Sequence, residues 1–95
     1  MRDDHFEWDD KKSASNARKH RVSFDNARAA FDDPHAILEP DDDPDEDRWK
    51  CIGMTAANLV VVIHVERDTR IRIISARKAE KHEQDQYNGQ ASFGR

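Results

Sequence analysis

Apolar and polar residues alternate along the C-terminal half of the chain in a pattern that predicts three consecutive strands. Residues 48–55, 59–66 and 70–76 are rich in branched aliphatic side chains, with short turns near 56–58 and 67–69. β-Branched residues suit a pleated strand, and short connections favour antiparallel neighbours. The middle segment is nearly all apolar, as expected of a central strand covered on both faces. The pattern therefore predicts an antiparallel meander.

The N-terminal segment begins with a short alternation of apolar and polar residues over 6–8, which predicts a first strand. Asp9 follows it and is a favourable N-cap residue, so a helix is predicted over about 10–20.

A second N-terminal helix is predicted after Ser23, the next N-cap candidate. Phe24 and Phe31 recur at the spacing of one helical face, and the Asp33-Pro34 pair ends the pattern. Residues 35–39 then form a short strand candidate.

Helix formers without a breaker fill residues 79–87, which predicts a short C-terminal helix. The predicted class is α+β, an antiparallel sheet of four to five strands with two N-terminal helices packed on it. We expect a single domain over residues 1–95, ordered over about 6–87, with a flexible tail at 88–95.

The net charge of −4 hides a strong asymmetry between the two halves of the chain. Residues 1–47 carry 7 Lys and Arg against 15 Asp and Glu, whereas residues 48–95 carry 9 against 5. Affinity for nucleic acid comes largely from Lys and Arg, so a nucleic-acid ligand remains compatible with the C-terminal half.

Much of the acidity lies in the Pro-interrupted run at 39–47. Like charges at this density favour a solvated connector. Two functional alternatives are a phosphate mimic that repels nucleic acid and a divalent-cation loop. The cation loop is the weaker of the two, because Pro40 and Pro44 stand where an EF-hand loop needs a defined ligand spacing and a glycine.

Cofactor and nucleophile signatures are missing from the sequence. There is no Gly-rich phosphate loop, no Cys or His metal pattern and no serine elbow, and the single cysteine, Cys51, precludes an internal disulfide. No stretch is long and apolar enough to span a membrane. We therefore expect a cytoplasmic protein without a cofactor or metal.

The run Arg70 to Ala79 contains the densest candidate chemistry. Arg77 and Lys78 stand where the last strand gives way to the C-terminal helix, a place where guanidinium and backbone N–H groups can converge on an anion. If Asp68-Thr69 is a two-residue turn, Arg67 faces Arg70 on the sheet face of Arg72, a cluster costly to assemble without an anion. The alternative is a solvated, basic strand edge.

Five short blocks stand in order over residues 6 to about 87. They are Phe6-Glu7-Trp8-Asp9, Lys19-His20-Arg21-Val22-Ser23-Phe24, Phe31-Asp32-Asp33-Pro34, Arg48-Trp49-Lys50-Cys51-Ile52-Gly53 and the run from Arg70. Together they resemble the BrnT family, the ribonuclease toxins of bacterial type II toxin–antitoxin pairs. One position departs from the family pattern, because Arg21 replaces a usual glycine. If that turn needs a positive φ, Arg21 is strained.

The resemblance implies a RelE-like fold and metal-independent RNA cleavage, in which a base deprotonates the 2′-OH and cations stabilise the phosphate. The catalytic candidates are Lys19, His20, Glu66, Arg67 and Arg77. The substrate-binding candidates are Arg48, Trp49, Arg72 and Lys78. For Trp49, stacking on a base competes with a role as a buried anchor of the meander. Of the other histidines, His64 is expected in the core or on the sheet.

The resemblance also implies a partner, a cognate antitoxin with a ribbon-helix-helix DNA-binding domain, in a hetero-oligomer that contacts DNA only through that antitoxin. The alternative function is a non-catalytic RelE-like module that serves as a corepressor scaffold.

Overall fold

A computed structural model describes residues 1–42 and 47–93 of the chain. Its elements, in chain order, are β1 Phe6–Glu7, α1 Asp10–His20, α2 Phe24–Ala27, a 3₁₀-helix Arg28–Asp32, β2 Ile37–Pro40, β3 Trp49–Met54, β4 Leu59–Arg67, β5 Arg70–Lys78 and α3 Lys81–Phe93. The class is α+β, as predicted. The middle of the acidic run, residues 43–46, lies outside the described residues.

Helix α1 occupies the predicted range because both of its ends are capped. The Asp9 carboxylate accepts hydrogen bonds from the backbone N–H groups of Lys11 and Lys12, at 2.8 and 3.2 Å. At the other end, Arg21 adopts the left-handed conformation with φ 62° and ψ 25°. Its N–H donates to the carbonyl of Ala17 at 2.9 Å. This turn therefore has a positive φ, and because the residue there is not glycine, its backbone is strained.

The second predicted helix is divided. Ser23 caps it through Asn26, but only one α-helical turn forms before the chain tightens into the 3₁₀-helix. This short helix packs directly onto β3 at Gly53, where an added Cβ would stand 2.6 Å from the carbonyl oxygen of Ala30. A glycine is required for that close approach.

The sheet has five strands in the order β1-β5-β4-β3-β2. The three longest form the predicted meander, but the prediction of a wholly antiparallel sheet was wrong, since β1 pairs with β5 in parallel, Phe6 opposite Ile71. In sequence, β1 and β5 are separated by the helices and by the other strands. A connection of this length allows β1 to pair with β5 in the same direction.

Strand β1 is only two residues long, so the second half of β5 lacks a neighbouring strand on that side. The buried Asn16 of α1 takes this place. Its Nδ2 donates to the carbonyl of Ala76 at 2.6 Å, and its Oδ1 accepts from the Ala76 N–H at 3.3 Å. A side-chain amide thereby satisfies two backbone groups that a strand would otherwise pair.

Apolar residues are buried on both faces of the sheet. On the helical face, α1, α2 and the 3₁₀-helix cover a core of ten residues: Trp8, Val22, Phe24, Ala27, Ala30, Cys51, Val60, Val62, Ile73 and Ala76. On the opposite face, Tyr87 of α3 packs with Ile37, Ile52 and Val61. A β-bulge at Ile74 lets Arg72 and Ser75 lie on the same face, opposite the helical core.

Helix α3 is longer than predicted and runs through Asn88 to Phe93. It attaches to the sheet chiefly through Tyr87, whose hydroxyl donates to Asp33 at 2.6 Å, and through Glu83. Flexibility of the last residues stays a prediction. Over the part of the chain that is described, no helix combines the length and apolar character needed to cross a membrane.

Candidate nucleic-acid interface

Three arginines at one end of the β4–β5 hairpin share a sheet face. Arg67 stands opposite Arg70, and Val65 stands opposite Arg72, which confirms the two-residue turn at Asp68-Thr69. Side chains alternate along a strand, so all three arginines lie opposite the helical core. We call this surface, together with the rest of the same sheet face, the basic face.

A buried carboxylate, Glu7 of β1, offsets part of the positive charge of these arginines. Its Oε2 accepts a 2.8 Å hydrogen bond from Arg72 and lies 3.9 Å from a guanidinium nitrogen of Arg67. Arg70 donates instead to the carbonyl of Asp3 at 2.7 Å. The anion that the cluster requires is therefore supplied, at least in part, by the protein itself.

The arginines nevertheless keep donors available. The side chain of Arg67 is 61% exposed and that of Arg72 is 32% exposed, and each guanidinium has five N–H donors. A phosphate can approach the remaining donors from solvent. Sequence reasoning did not select Glu7, although its alternation with Phe6 and Trp8 places it on the opposite face to those apolar residues.

Arg77 lies on the basic face as well, where it is paired with α3 and its side chain is 35% exposed. Its two terminal nitrogens donate to the two carboxylate oxygens of Glu83, each at 2.7 Å. Glu83 also accepts from the backbone N–H of Glu80 at 2.8 Å, and its side chain is only 1% exposed. The convergence of donors predicted at this point exists, and a carboxylate of the protein occupies it.

The ion pair shifts the titration of both partners. The hydrogen bond from Arg77 lowers the pKa of Glu83 to about 2, against the opposing effect of burial. The same hydrogen bond raises the pKa of Arg77. Lys78, the last residue of β5, is exposed.

Strand β3 contributes Lys50 to the basic face. Lys50 stands opposite Ile63, and its Nζ lies 3.2 Å from Glu39 and 3.9 Å from Glu83. Trp49 stands opposite His64 and, by alternation, shares the helical face with Cys51. Arg48 pairs with Asp41 at 3.5 Å. Trp49 is therefore separated from Arg72 by the sheet. Lys50, like Glu7, was not selected from the sequence.

The other catalytic candidates lie on the helical side of the sheet or on the helix that covers it. Lys19 and His20 are exposed in the last turn of α1, which packs on the helical face, and Glu66 stands opposite Ile71 on that same side. Within residues 1–42 and 47–93, no hydrogen bond or ion pair joins any of these three to an arginine of the basic face. The structure thus brings together the arginines, and not the complete candidate set.

Two buried groups of the core have shifted pKa values. Burial lowers the pKa of His64, whose ring meets Phe31 edge-on at 4.9 Å and whose Nδ1 lies 3.4 Å from the carbonyl of Val62. A position in the core or on the sheet was expected for this histidine, and it is buried in the core. Burial also raises the pKa of the Cys51 thiol to about 11, which makes it a poor nucleophile.

Possible metal ligands cluster at the start of α3. Ligand atoms of Glu80, His82 and Glu83 lie within 4.8 Å of one another. Because both oxygens of Glu83 already accept from Arg77, a cation there would have to compete with a guanidinium. We assign no metal to this cluster.

Comparison with known proteins gives one family. The model of the family described as ribonuclease toxin, BrnT, of type II toxin–antitoxin system matches residues 8–83, most of the chain. No curated protein matches. The matched range contains β3, β4 and β5 entire and every arginine and lysine of the basic face described above. The chain therefore belongs to the BrnT family of ribonuclease toxins.

Proposed function

We propose that the chain is a cytoplasmic toxin with a RelE-like fold that cleaves RNA without a metal ion. The observation that supports this most directly is the set of partly exposed arginines on one sheet face, within the range matched by a ribonuclease family. Cleavage of cellular RNA would inhibit translation and growth.

The proposed reaction needs no group from outside the chain and its substrate. The 2′-OH loses its proton to a base and attacks the adjacent phosphorus, the bond from phosphorus to the 5′ oxygen breaks, and an acid protonates that oxygen. The products are a 2′,3′-cyclic phosphate and a 5′-OH. Arg67, Arg72 and Arg77 would stabilise charge on the RNA phosphates.

His20, beside Lys19, is the proposed titrating group, with Glu66 as the alternative base. His20 is exposed, so RNA can reach it without rearrangement of the core. Replacement His20→Ala should abolish toxicity in a growth assay while antitoxin binding is kept. A toxic variant would transfer the role to Glu66 or a lysine.

We further propose that the partner is a ribbon-helix-helix antitoxin that covers the basic face in a hetero-oligomer and supplies the DNA contacts. Acidic side chains would complement the exposed guanidinium of Arg67 and speed association. Pull-down with the adjacent reading frame, followed by an RNase assay, tests this model. A complex as active as the free chain would refute it.

The decisive experiment for catalysis is cleavage of single-stranded RNA by the purified chain in EDTA, with analysis of the product ends. Cyclic phosphate ends are expected, and full loss of activity on chelation would remove the metal-free mechanism. One observation favours the alternative scaffold function: Arg72 and Arg77 already hold carboxylates of the protein. Absence of cleavage under all conditions, with the antitoxin still bound, would support that scaffold.

A further inference from the structure

Glu83 differs from its neighbours on α3. Its side chain is 1% exposed, whereas that of Asp85, on the same helix, is 61% exposed. Two cations of the sheet approach its carboxylate, Arg77 from β5 and Lys50 from β3. These strands lie on either side of β4, so the two cations converge over the central strand.

Over residues 81–89, the part of α3 whose side chains are described, few contacts hold the helix over this point. One aromatic side chain, Tyr87, packs with the sheet, and its hydroxyl donates to Asp33. Gln86 donates to Glu39 at 3.0 Å, and most of the remaining described side chains of the helix are exposed. A polar helix with so little buried apolar surface belongs to the parts of a protein that open most readily.

We propose that Lys50 and Arg77 form a phosphate subsite for RNA, which Glu83 occupies in the free chain and which opens when α3 moves aside. A carboxylate and a phosphodiester offer the same paired oxygen acceptors to a guanidinium. The RNA ligand follows from the function proposed above, so the inference rests on it.

The subsite continues the surface formed by Arg67 and Arg72. Arg77 stands opposite Val61 and Arg72 opposite Val65, both on the basic face. Four residues of an extended strand span about 13 Å, a distance that a chain of several phosphates can bridge. The two arginine sites therefore suit successive phosphates of one single strand.

The experiment measures binding separately from cleavage. A single-stranded 2′-O-methyl RNA, which cannot supply the attacking hydroxyl, is titrated with each variant by fluorescence anisotropy at several salt concentrations. Glu83→Gln is compared with Asp85→Asn, which makes the same charge change at an exposed position of the same helix.

Glu83→Gln should bind this RNA roughly tenfold more tightly than Asp85→Asn at low salt, because it releases cations for phosphate contacts. Two new phosphate contacts should also steepen the slope of log K against log salt by about 1.4. In the double variant Lys50→Gln with Glu83→Gln only Arg77 remains as a new contact, so the affinity gain should shrink and the added slope should fall to about 0.7. Equal affinities and slopes for Glu83→Gln and Asp85→Asn would overturn the subsite.

Tyr87→Phe provides a second measurement that alters no charge. It removes the hydrogen bond to Asp33 and should loosen α3, so a smaller gain in affinity is expected, again dependent on Lys50. If Glu83→Gln fails to fold, no gain for Tyr87→Phe overturns the proposal. Cleavage of unmodified RNA by the wild type is scored independently, so an active enzyme without the affinity gain refutes only the subsite. An inactive enzyme with that gain refutes only the catalytic function.

Discussion

Two buried carboxylates, Glu7 and Glu83, engage arginines on the same sheet face, and they leave those arginines in different states. Glu7 receives one short hydrogen bond, from Arg72, and the neighbouring Arg67 remains largely exposed. Glu83 receives both terminal nitrogens of Arg77 at 2.7 Å. The charges alone do not distinguish the Glu7–Arg72 pair from the Glu83–Arg77 pair. The number of donors that an internal partner consumes decides whether an arginine can accept a ligand without rearrangement.

The largest effect on stability is expected where the pairing is complete. Arg77→Ala leaves Glu83 buried without its main partner and should lower the free energy of unfolding by about 3 kcal/mol. Urea denaturation measures this loss, with Asp85→Asn as a surface control on the same helix. A change below about 0.5 kcal/mol, the size expected at an unremarkable surface site, would mean that α3 is not anchored by this pair.

Acid should weaken the same pair. The hydrogen bond from Arg77 lowers the pKa of Glu83 from its usual value of 4.5 to about 2, so the contribution of the pair is present above pH 4.5 and is lost as the pH falls toward 2. The free energy of unfolding should decline over that window. His64, whose burial lowers its pKa, adds a separate loss below its usual value of 6.5.

The difference between wild type and Arg77→Ala isolates the Glu83 contribution, since His64 is common to both. Urea midpoints measured from pH 7 to pH 3 should converge for the two proteins as the pH falls. A constant difference across that range would contradict the assignment of the pKa shift to Arg77.

At the Glu7 carboxylate, removal of the paired arginine should affect activity more than stability. Arg72→Ala should reduce kcat/KM for RNA cleavage about tenfold or more, because a charge-assisted contact to phosphate is lost. Its effect on the free energy of unfolding should be smaller than that of Arg77→Ala, because Arg67 still lies beside the Glu7 carboxylate when Arg72 is removed. Steady-state kinetics beside urea denaturation give both numbers. A larger loss of free energy of unfolding for Arg72→Ala than for Arg77→Ala would contradict this ranking.

The smallest effect is expected from a substitution that touches neither the Glu7–Arg72 pair nor the Glu83–Arg77 pair. Arg21 has φ 62°, so Arg21→Gly should raise the free energy of unfolding by about 1 kcal/mol through relief of left-handed strain. RNA cleavage should stay unchanged. Destabilisation of this variant would show that the long side chain of Arg21 contributes packing that outweighs the strain.

Local patterns predicted much of the fold. The cap at Asp9, the apolar run of β4 and the turn at Asp68-Thr69 are encoded in adjacent residues, and each was found at its expected place. The parallel pairing of β1 was missed because it joins Phe6 to Ile71, and no local periodicity reports a contact over that separation. The bulge at Ile74 likewise depends on how two strands meet.

The candidate site was predicted less completely for the same reason. The sequence predicted one sheet face lined by Lys19, His20, Arg67, Arg72 and Arg77. The register places the three arginines on one face, whereas Lys19 and His20 lie on α1, on the helical side. Their internal partners could not be read from the pattern, because Glu7 arrives through β1 and Glu83 through α3. The roles of Lys19, His20 and Glu66 in catalysis remain predictions.

Asn16 has a consequence for the behaviour of the chain at high concentration. A strand edge with free N–H and C=O groups is a template on which another molecule can pair. The Asn16 amide caps the edge of β5 at Ala76, and α1 lies across it. By occupying both backbone groups of Ala76, Asn16 removes a pair of free groups to which a strand of another molecule could bind.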